Sequence, residues 1–408
     1  MSTASSGPTS GPHSGGTGQP RMSRPIALAD LTEDLLWPKL LRVPALALRP
    51  ASITIGFFGL LIASLVGDLS KLWRPANSLS VGTLLSDELE RGASGFWRDL
   101  MRGIQTADGT ALQSAFGWIV RIPRMLWEEF SWGSLIAIAS VAVLLIAGGA
   151  ISRIAACDFA HGVRISWVEA LGFAIRRWVS LVFCFAGPLL IVAIIYAVLA
   201  AAGWTLFSIG WMQFIGAALF VFALLGATLA VALIVLTVLG APLMIPAIAC
   251  EGADAIEAMQ RAYAYVPARP IRYALYVLLT LAVGMLAIAV AVAVASGITS
   301  FAMVAVGAWV KEPPRLLMYP LTPPSNATEW LLKLWIGLPL AIAGAYAFSV
   351  LFTGCTVIYL VLRRVVDGQT MTDIWVPGVV PGTAMTTDTS AGANPADASV
   401  SREAADED

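Results

Sequence analysis

Two groups of acidic side chains are the residues of this sequence whose types and spacing could do chemistry. The first group contains Asp158 and Glu169, and the second contains Glu251, Asp254 and Glu257. Carboxylates that gather at one end of a membrane bundle suit the handling of cations or protons, as in transporters built from repeats. The sequence therefore offers one candidate polar site, formed by Asp158, Ser166, Glu169, Glu251, Asp254, Glu257 and Arg261.

The same residues also have the spacing of helix caps. Ser166-x-x-Glu169 and Asp254-x-x-Glu257 both match the capping box, in which the first side chain accepts a hydrogen bond from the N3 amide. The Glu side chain then accepts one from the cap amide. Two interpretations stand: amphipathic connectors with capped helices, or a polar mouth for ions. The connector is favoured, because no charged residue lies deep in any apolar segment and transport paths usually need one.

The two loops around these caps resemble each other. Each leaves an apolar segment, reaches Ala-Cys-acid (Ala156–Asp158 and Ala249–Glu251) and then begins a capped helix, and the two caps lie 88 residues apart. A fainter third copy follows the last apolar segment, where Gly368 to Thr372 matches the step from Gly162 to Ser166. The sequence thus predicts two or three units of span, interfacial elbow helix and span.

Arginines follow each proposed elbow. Positive side chains at the end of a span bind anionic lipid headgroups. The predicted headgroup anchors are Arg176, Arg177, Arg269, Arg272, Arg363 and Arg364.

Motifs of catalysis and cofactor binding are absent from the sequence. It contains no GxxxxGK[ST], GxSxG or HExxH motif and no glycine-rich dinucleotide fingerprint. The four cysteines form no CxxC pair, and two histidines do not suffice for a histidine-rich metal site. We therefore expect no enzyme, no cofactor and no metal. The net charge of −1 also gives no reason to expect a nucleic-acid partner.

The elements that must position these residues are membrane spans. Hydrophobic residues make up 58% of the 408-residue chain and charged residues only 12%, against about 25% charged in soluble domains. The 73 residues between Arg177 and Glu251 contain no Asp, Glu, Lys or Arg, which is room for two spans of roughly 20 residues. Three further gaps, between Glu129 and Arg153, Arg272 and Lys311, and Lys333 and Arg363, hold one span each.

The predicted fold is an all-α polytopic bundle with six spans, cytoplasmic elbow helices and an internal repeat. Residues 1–25 and 377–408 are expected to be disordered tails around a membrane domain at 26–376, and a break is expected at Gly240–Pro246. Residues 26–48 suggest a short amphipathic surface helix. Residues 68–131 suggest outer interfacial helices or a small outer domain. The expected spans are about 50–67, 132–152, 178–202, 213–239, 272–297 and 331–362.

Orientation follows from Lys and Arg in the short loops. The loops that carry the elbows are rich in arginine, whereas the loop at 203–212 holds neither Lys nor Arg. The positive-inside rule therefore predicts elbows and both termini in the cytoplasm of a bacterial cell, in its inner membrane.

The amino-acid sequences of the two elbows resemble a family of membrane proteins. GGAISRIAAC…EALGFAIRRW (148–178) and PLMIPAIACEGADAIEAMQRAYAYVPARP (242–270) are similar to an uncharacterised family of multipass membrane proteins from planctomycete-like bacteria. The second stretch more distantly resembles the membrane domain of bacterial glycerophosphodiester phosphodiesterases. The resemblance implies an all-helical inner-membrane bundle and supplies no catalytic or ligand-binding residues. This chain lacks the soluble phosphodiesterase domain, so that activity is not inherited.

Taken together, these patterns predict a non-enzymatic integral membrane protein that organises lipid or protein partners. The expected partners are membrane lipids, with other membrane proteins as a further candidate. The alternative is a transporter or permease subunit with an acidic cytoplasmic mouth.

Overall fold

The computed structural model describes residues 37–69, 132–310, 314–318 and 325–375, together with residues 95, 98, 99, 101, 102, 105, 106 and 322. Within these ranges the chain is helical and contains no strand, which confirms the predicted all-α fold class. The expected tails at 1–25 and 377–408 lie outside the described residues, as does almost all of the expected outer segment at 68–131.

Ten α-helices lie within residues 37–69, 132–310, 314–318 and 325–375. They are α1 (Val43–Ala47, preceded by a 3-10 helix at Trp37–Arg42), α2 (Pro50–Leu69), α3 (Trp132–His161), α4 (Trp167–Arg176), α5 (Trp178–Ser208), α6 (Gln213–Glu251), α7 (Ala255–Ala268), α8 (Pro270–Gly307), α9 (Arg315–Met318) and α10 (Ala327–Asp367).

Five of these helices, α3, α5, α6, α8 and α10, are long and apolar enough to cross a membrane. A sixth candidate is the bent pair Trp37–Ala47 and Pro50–Val66, whose two parts meet at 68°. In a helix the backbone N–H and C=O groups are hydrogen-bonded to each other, which is necessary because hydrocarbon offers them no partners. The described part of the chain therefore forms a polytopic helical bundle with five membrane-spanning helices, or six if the bent pair counts as one.

The expected break at Gly240–Pro246 is wrong, because α6 continues through both prolines to Glu251. A proline removes one amide donor and crowds the preceding turn, yet tertiary packing can hold such a turn helical. Here residues 243–250 are all buried against neighbouring helices. Helix α8 likewise runs on to Gly307, beyond the predicted end of its span.

The buried core lies at one end of the bundle, which we call the elbow end. It is formed by α4, α7, α1 with the preceding 3-10 helix, the C-terminal ends of α3, α6 and α10, and the first two turns of α5 and α8. Both elbow helices are amphipathic: α4 buries Ala170 and Ala174, and α7 buries Ala258, Ala262 and Tyr265 at helical spacing. At the opposite, far end the long helices expose their side chains, as helices facing lipid do.

The segment before α2 was expected as an amphipathic helix on the membrane surface, but its described part packs into the bundle. Leu40, Val43 and Ala47 are fully buried. Two hydroxyls of α10 donate to its carbonyls, Tyr346 to Pro44 O at 3.2 Å and Ser349 to Ala47 O at 2.9 Å. These donors lie 302 residues away in the sequence, so no local pattern could reveal them.

Exposed tryptophans mark both membrane interfaces. Trp167 and Trp178 are about half exposed at the elbow end. From Trp178 to Trp204 the chain rises through 26 residues of α5, about 39 Å at 1.5 Å per residue. That distance is close to the roughly 40–45 Å of a bilayer with its headgroups. The exposed tryptophans of the far end are Trp204, Trp211, Trp309, Trp330 and Trp335.

Three helices end in the same way at the elbow end. Gly162, Gly252 and Gly368 follow α3, α6 and α10, and all three have left-handed φ values of 66°, 64° and 67°. Glycine adopts this conformation without the steric cost of a Cβ atom. In the third copy of the predicted unit, the described residues that follow α10, 368–375, contain no helix.

Candidate functional site

Glu251, the last residue of α6, lies at the centre of a charged cluster at the elbow end. Its carboxylate pairs with Arg261 of α7 and, at 3.3 Å, with Nε of Arg363 of α10. The hydroxyl of Tyr359 donates a hydrogen bond to the same carboxylate. Only 10% of the Glu251 side chain is exposed, so these contacts replace the water that a carboxylate needs.

The two arginines of this cluster have further partners. Arg261 donates to Glu257 at 2.7 Å, one turn earlier on α7. Arg363 donates to Gln369 and, at 2.7 Å, to the carbonyl of Asp373. Arg363 is 6% exposed, so the prediction that it anchors a lipid headgroup is wrong. Its position within the sequence of α10 gave no sign of these partners.

Tyr265 extends the cluster along α7. Its hydroxyl donates to Asp367, and its ring lies 5.9 Å from that of Tyr359. Burial, and then the hydrogen bond to Asp367, raise the pKa of Tyr265. Burial lowers the pKa of Arg261, but the hydrogen bond to Glu257 and the charge of Glu251 outweigh it, and the pKa is raised. The first group therefore stays neutral and the second stays charged.

Arg153 of α3 is buried without a carboxylate partner among the described residues. Its guanidinium donates to Ala249 O at 2.8 Å and to Trp375 O at 2.7 Å, and lies 5.0 Å from the ring of Phe173. Ala249 is in the last turn of α6, where the helix dipole places partial negative charge. Arg153 is only 7% exposed. The dipole and the two carbonyls together offset the burial of its positive charge.

The end of α6 is completed by distant parts of the chain. The last carbonyls of a helix have no partner within it. Here Ile248 O accepts from the Gly252 amide at 2.9 Å, and Cys250 O accepts from the Trp375 amide at 2.8 Å. With Arg153 on Ala249 O, three consecutive carbonyls are bound. Residues 368–375, which we call the strap, therefore join α10 to α6.

Trp375 fixes the strap between the two elbows. The guanidinium of Arg177 lies 5.5 Å from its ring, and the ring of Phe173 lies 6.2 Å from it. The ring also lies directly against Gly252, where a Cβ atom would approach it to 2.7 Å. Gly252 is thus required twice, for its left-handed backbone and for the space that the indole fills.

Asp158 does not join the Glu251 cluster. It accepts two hydrogen bonds from Arg49, at 2.6 and 2.8 Å, which tie the residue before α2 to the end of α3. The Asp158 side chain is 6% exposed, and the bidentate geometry is the one that arginine and carboxylate favour. The seven residues of the predicted polar site thus separate into distinct groups rather than forming one site.

The two predicted capping boxes have different outcomes. The box at Ser166 is confirmed: the Glu169 amide donates to Ser166 Oγ at 3.2 Å, and the Ser166 amide donates to Glu169 Oε2 at 3.1 Å. The box at Asp254 is wrong, because this side chain makes no cap hydrogen bond. It accepts instead from Arg177 at 3.1 Å, while Glu257 binds Arg261.

The remaining predicted anchors lie on the surface of the elbow end. Arg176, Arg269, Arg272 and Arg364 are exposed, whereas Arg177 is half-buried by its contacts with Asp254 and Trp375. No three His, Cys, Asp or Glu side chains come together as metal ligands in the described part of the chain. Each carboxylate of the predicted polar site is bound to an arginine or a cap, so none of them is placed as a free general base.

Sequence reasoning missed Arg49, Arg153, Tyr265, Tyr359 and Trp375 as members of this end of the bundle. Only Arg153 carried a usable signal. It is a single charge between two apolar stretches, and an ionisable residue near a span has a partner or a function by default.

No family model, curated protein or solved structure matches the chain. The resemblance of the two elbows to a family of bacterial membrane proteins stays a prediction.

Proposed function

We propose that this protein is a non-enzymatic integral membrane protein that organises anionic lipids around its elbow end. The observation that carries the proposal is the pairing of the elbow charges. Asp158, Glu251, Asp254 and Glu257 are each bound to arginine, and Glu169 closes a cap. A cation or proton carrier needs a carboxylate that can change partners, whereas these hold the bundle together.

The exposed arginines supply the lipid contact. Arg176 ends α4, two residues before the exposed Trp178, and Arg269 and Arg272 lie at the start of α8. Basic side chains at this level attract anionic headgroups by about 1 kcal/mol each. An interfacial tryptophan keeps the elbow at a fixed depth while the arginines bind headgroups.

The orientation belongs to the same proposal. With the arginine-rich elbows in the cytoplasm, the protein lies in a bacterial inner membrane with both termini inside. A cysteine replacing Gly210, in the exposed turn between α5 and α6, should then react with an impermeant thiol reagent in spheroplasts. One replacing the exposed Gln260 on α7 should react only after lysis. The reverse pattern would overturn the orientation.

The lipid role is tested by mass spectrometry of the full chain in nanodiscs that contain equal amounts of phosphatidylglycerol and phosphatidylcholine. Replacing Arg269 and Arg272 together by Gln should reduce the enrichment of phosphatidylglycerol, by about five-fold for each lost charge. Glu257→Gln, which leaves both arginines in place, is the control and should not reduce it. Equal enrichment in all three proteins would refute the proposal.

A transporter or permease subunit is the second candidate, and one observation favours it. Four buried hydroxyls, those of Ser52, Ser152, Thr280 and Thr353, have no hydrogen-bond partner among the described residues. Hydroxyls can line a path through a bundle that lacks charges. Solute flux in proteoliposomes that is lost in Thr353→Val but kept in R269Q/R272Q would favour transport over lipid organisation.

A further inference from the structure

A groove lies between α2 and α10 in the half of the bundle opposite the elbows. Its volume is about 430 Å³, within the range of small-ligand sites. The lining is apolar except for one hydroxyl and one ammonium group. The lining includes Phe57 and Ser64 of α2 and Lys333, Gly337 and Gly344 of α10.

The groove has a closed inner end. Helices α2 and α10 touch at Gly56, where a Cβ atom would lie 2.9 Å from the carbonyl oxygen of Ala345. The lining on α10 begins at Lys333 and ends at Gly344, next to this contact. These 11 residues rise about 16 Å, which is close to half of the roughly 30 Å hydrocarbon core. The groove therefore has the length of one leaflet.

The open end of the groove lies at the membrane interface. Trp330 and Trp335, on either side of Lys333 in the sequence, are 64% and 60% exposed. Lys333 is exposed and has no ion pair among the described residues. Glu329, one turn earlier, is buried and accepts hydrogen bonds from the amide and hydroxyl of Ser325. A positive charge thus stands at headgroup level directly above an apolar channel.

We propose that this groove binds one acyl chain of a glycerophospholipid whose phosphate pairs with Lys333. The lipid belongs to the leaflet opposite the elbows. The length of the groove selects an acyl chain, and the ammonium group selects a phosphate. The site is independent of the arginines at the elbow end, so it holds or fails separately from the proposed function.

Two glycine substitutions separate this site from general contact with lipid. Gly337 lines the groove, and Gly297 lies on the exposed surface of α8; neither has a heavy atom within 4 Å of an added Cβ. Gly337→Leu should fill the groove with an isobutyl group. Gly297→Leu makes the same chemical change where no groove exists. Lys333→Ala removes the proposed phosphate partner and leaves the groove open.

The test is native mass spectrometry of the delipidated full-length protein, titrated with palmitoyl-oleoyl phosphatidylglycerol or with the matching diacylglycerol. Wild type and Gly297→Leu should bind one phosphatidylglycerol before any others, and Gly337→Leu should lose this first binding step. Lys333→Ala should bind phosphatidylglycerol about five-fold more weakly and diacylglycerol unchanged.

Three results would overturn the proposal. The first is an identical titration for Gly337→Leu and Gly297→Leu, which would show that no distinct site exists. The second is a protein dimer that Gly337→Leu dissociates, which would make a second copy of the chain the occupant. The third is equal affinity of wild type for phosphatidylglycerol and diacylglycerol, which would show that Lys333 does not pair with the phosphate.

Discussion

Replacing Glu251 by Gln removes the charge that two arginines share while keeping the size of the side chain. The amide can still accept from Tyr359, so the change isolates charge from shape. The side chains of Glu251 and Arg363 are 10% and 7% exposed. Removing one partner of a buried ion pair costs about 3–5 kcal/mol, because the other charge stays desolvated. The retained hydrogen bond places the expected loss in the free energy of unfolding near 3 kcal/mol.

Glu257→Gln is the matched control. It makes the same chemical change to a carboxylate that binds the same arginine, Arg261. However, the Glu257 side chain is 50% exposed and the pair has helical i,i+4 spacing. Such pairs contribute about 0.3–0.5 kcal/mol. The two variants should therefore differ by about 2.5 kcal/mol, because Glu251 is buried and has a second arginine partner, Arg363.

The assay is unfolding of the purified protein in mixed micelles with rising SDS, followed by tryptophan fluorescence. A double variant, Glu251→Leu with Arg363→Leu, completes the experiment, because replacing both members of a buried pair by apolar groups is often close to neutral. It should recover most of the stability that Glu251→Gln loses. If Glu251→Gln and Glu257→Gln lose equal stability, the cluster does not hold the elbow end together and the reasoning fails.

Three further predictions use the same unfolding measurement. Gly252→Ala should cost about 1–2 kcal/mol for the left-handed backbone and further free energy for the displaced indole of Trp375. An added Cβ at Gly368 has no neighbour within 4 Å, so Gly368→Ala should cost only the backbone part. Equal losses for the two variants would contradict the contact between Gly252 and Trp375. Ser166→Ala should cost about 1 kcal/mol as a lost cap, and Asp254→Ala less, because its exposed pair is weak. The pKa of Tyr265 is raised from 10.0 in the folded protein. The free energy of unfolding should therefore fall as pH rises above about 10, and more steeply in wild type than in Tyr265→Phe. Parallel pH curves for the two proteins would refute the raised pKa of Tyr265.

The sequence was sufficient wherever the cause of structure is local. Long stretches without charge predicted the apolar helices, because hydrocarbon leaves few alternatives to a helix. Ser166 and Glu169 form their box because both bonds close within three residues. The same reasoning failed at Asp254, where Arg177 from another helix competes for the carboxylate. A local pattern states what a residue can bind, and tertiary structure decides among the candidates.

The site depended on contacts that no local pattern contains. Glu251 meets Tyr359 across 108 residues, and Arg153 meets Trp375 across 222. Helix periodicity assigns residues to faces but does not say which faces of distant helices meet. For that reason Arg363 was expected to face headgroups, although it belongs to the interior of the elbow end. The continuous helix α6 shows the same limit, since its prolines predict a break that buried neighbours prevent.

The contact between the segment before α2 and helix α10 sets an order for biogenesis. A ribosome adds about 5–20 residues per second, so Tyr346 and Ser349 follow the carbonyls they bind, 302 residues earlier, by about 15–60 s. Asp158 reaches Arg49 after only 109 residues, or about 5–20 s. The nascent chain can therefore join α2 to α3 early, whereas the carbonyls of Pro44 and Ala47 wait for the last helix. Until α10 is inserted, this apolar segment has to be sheltered by lipid or by the insertion machinery.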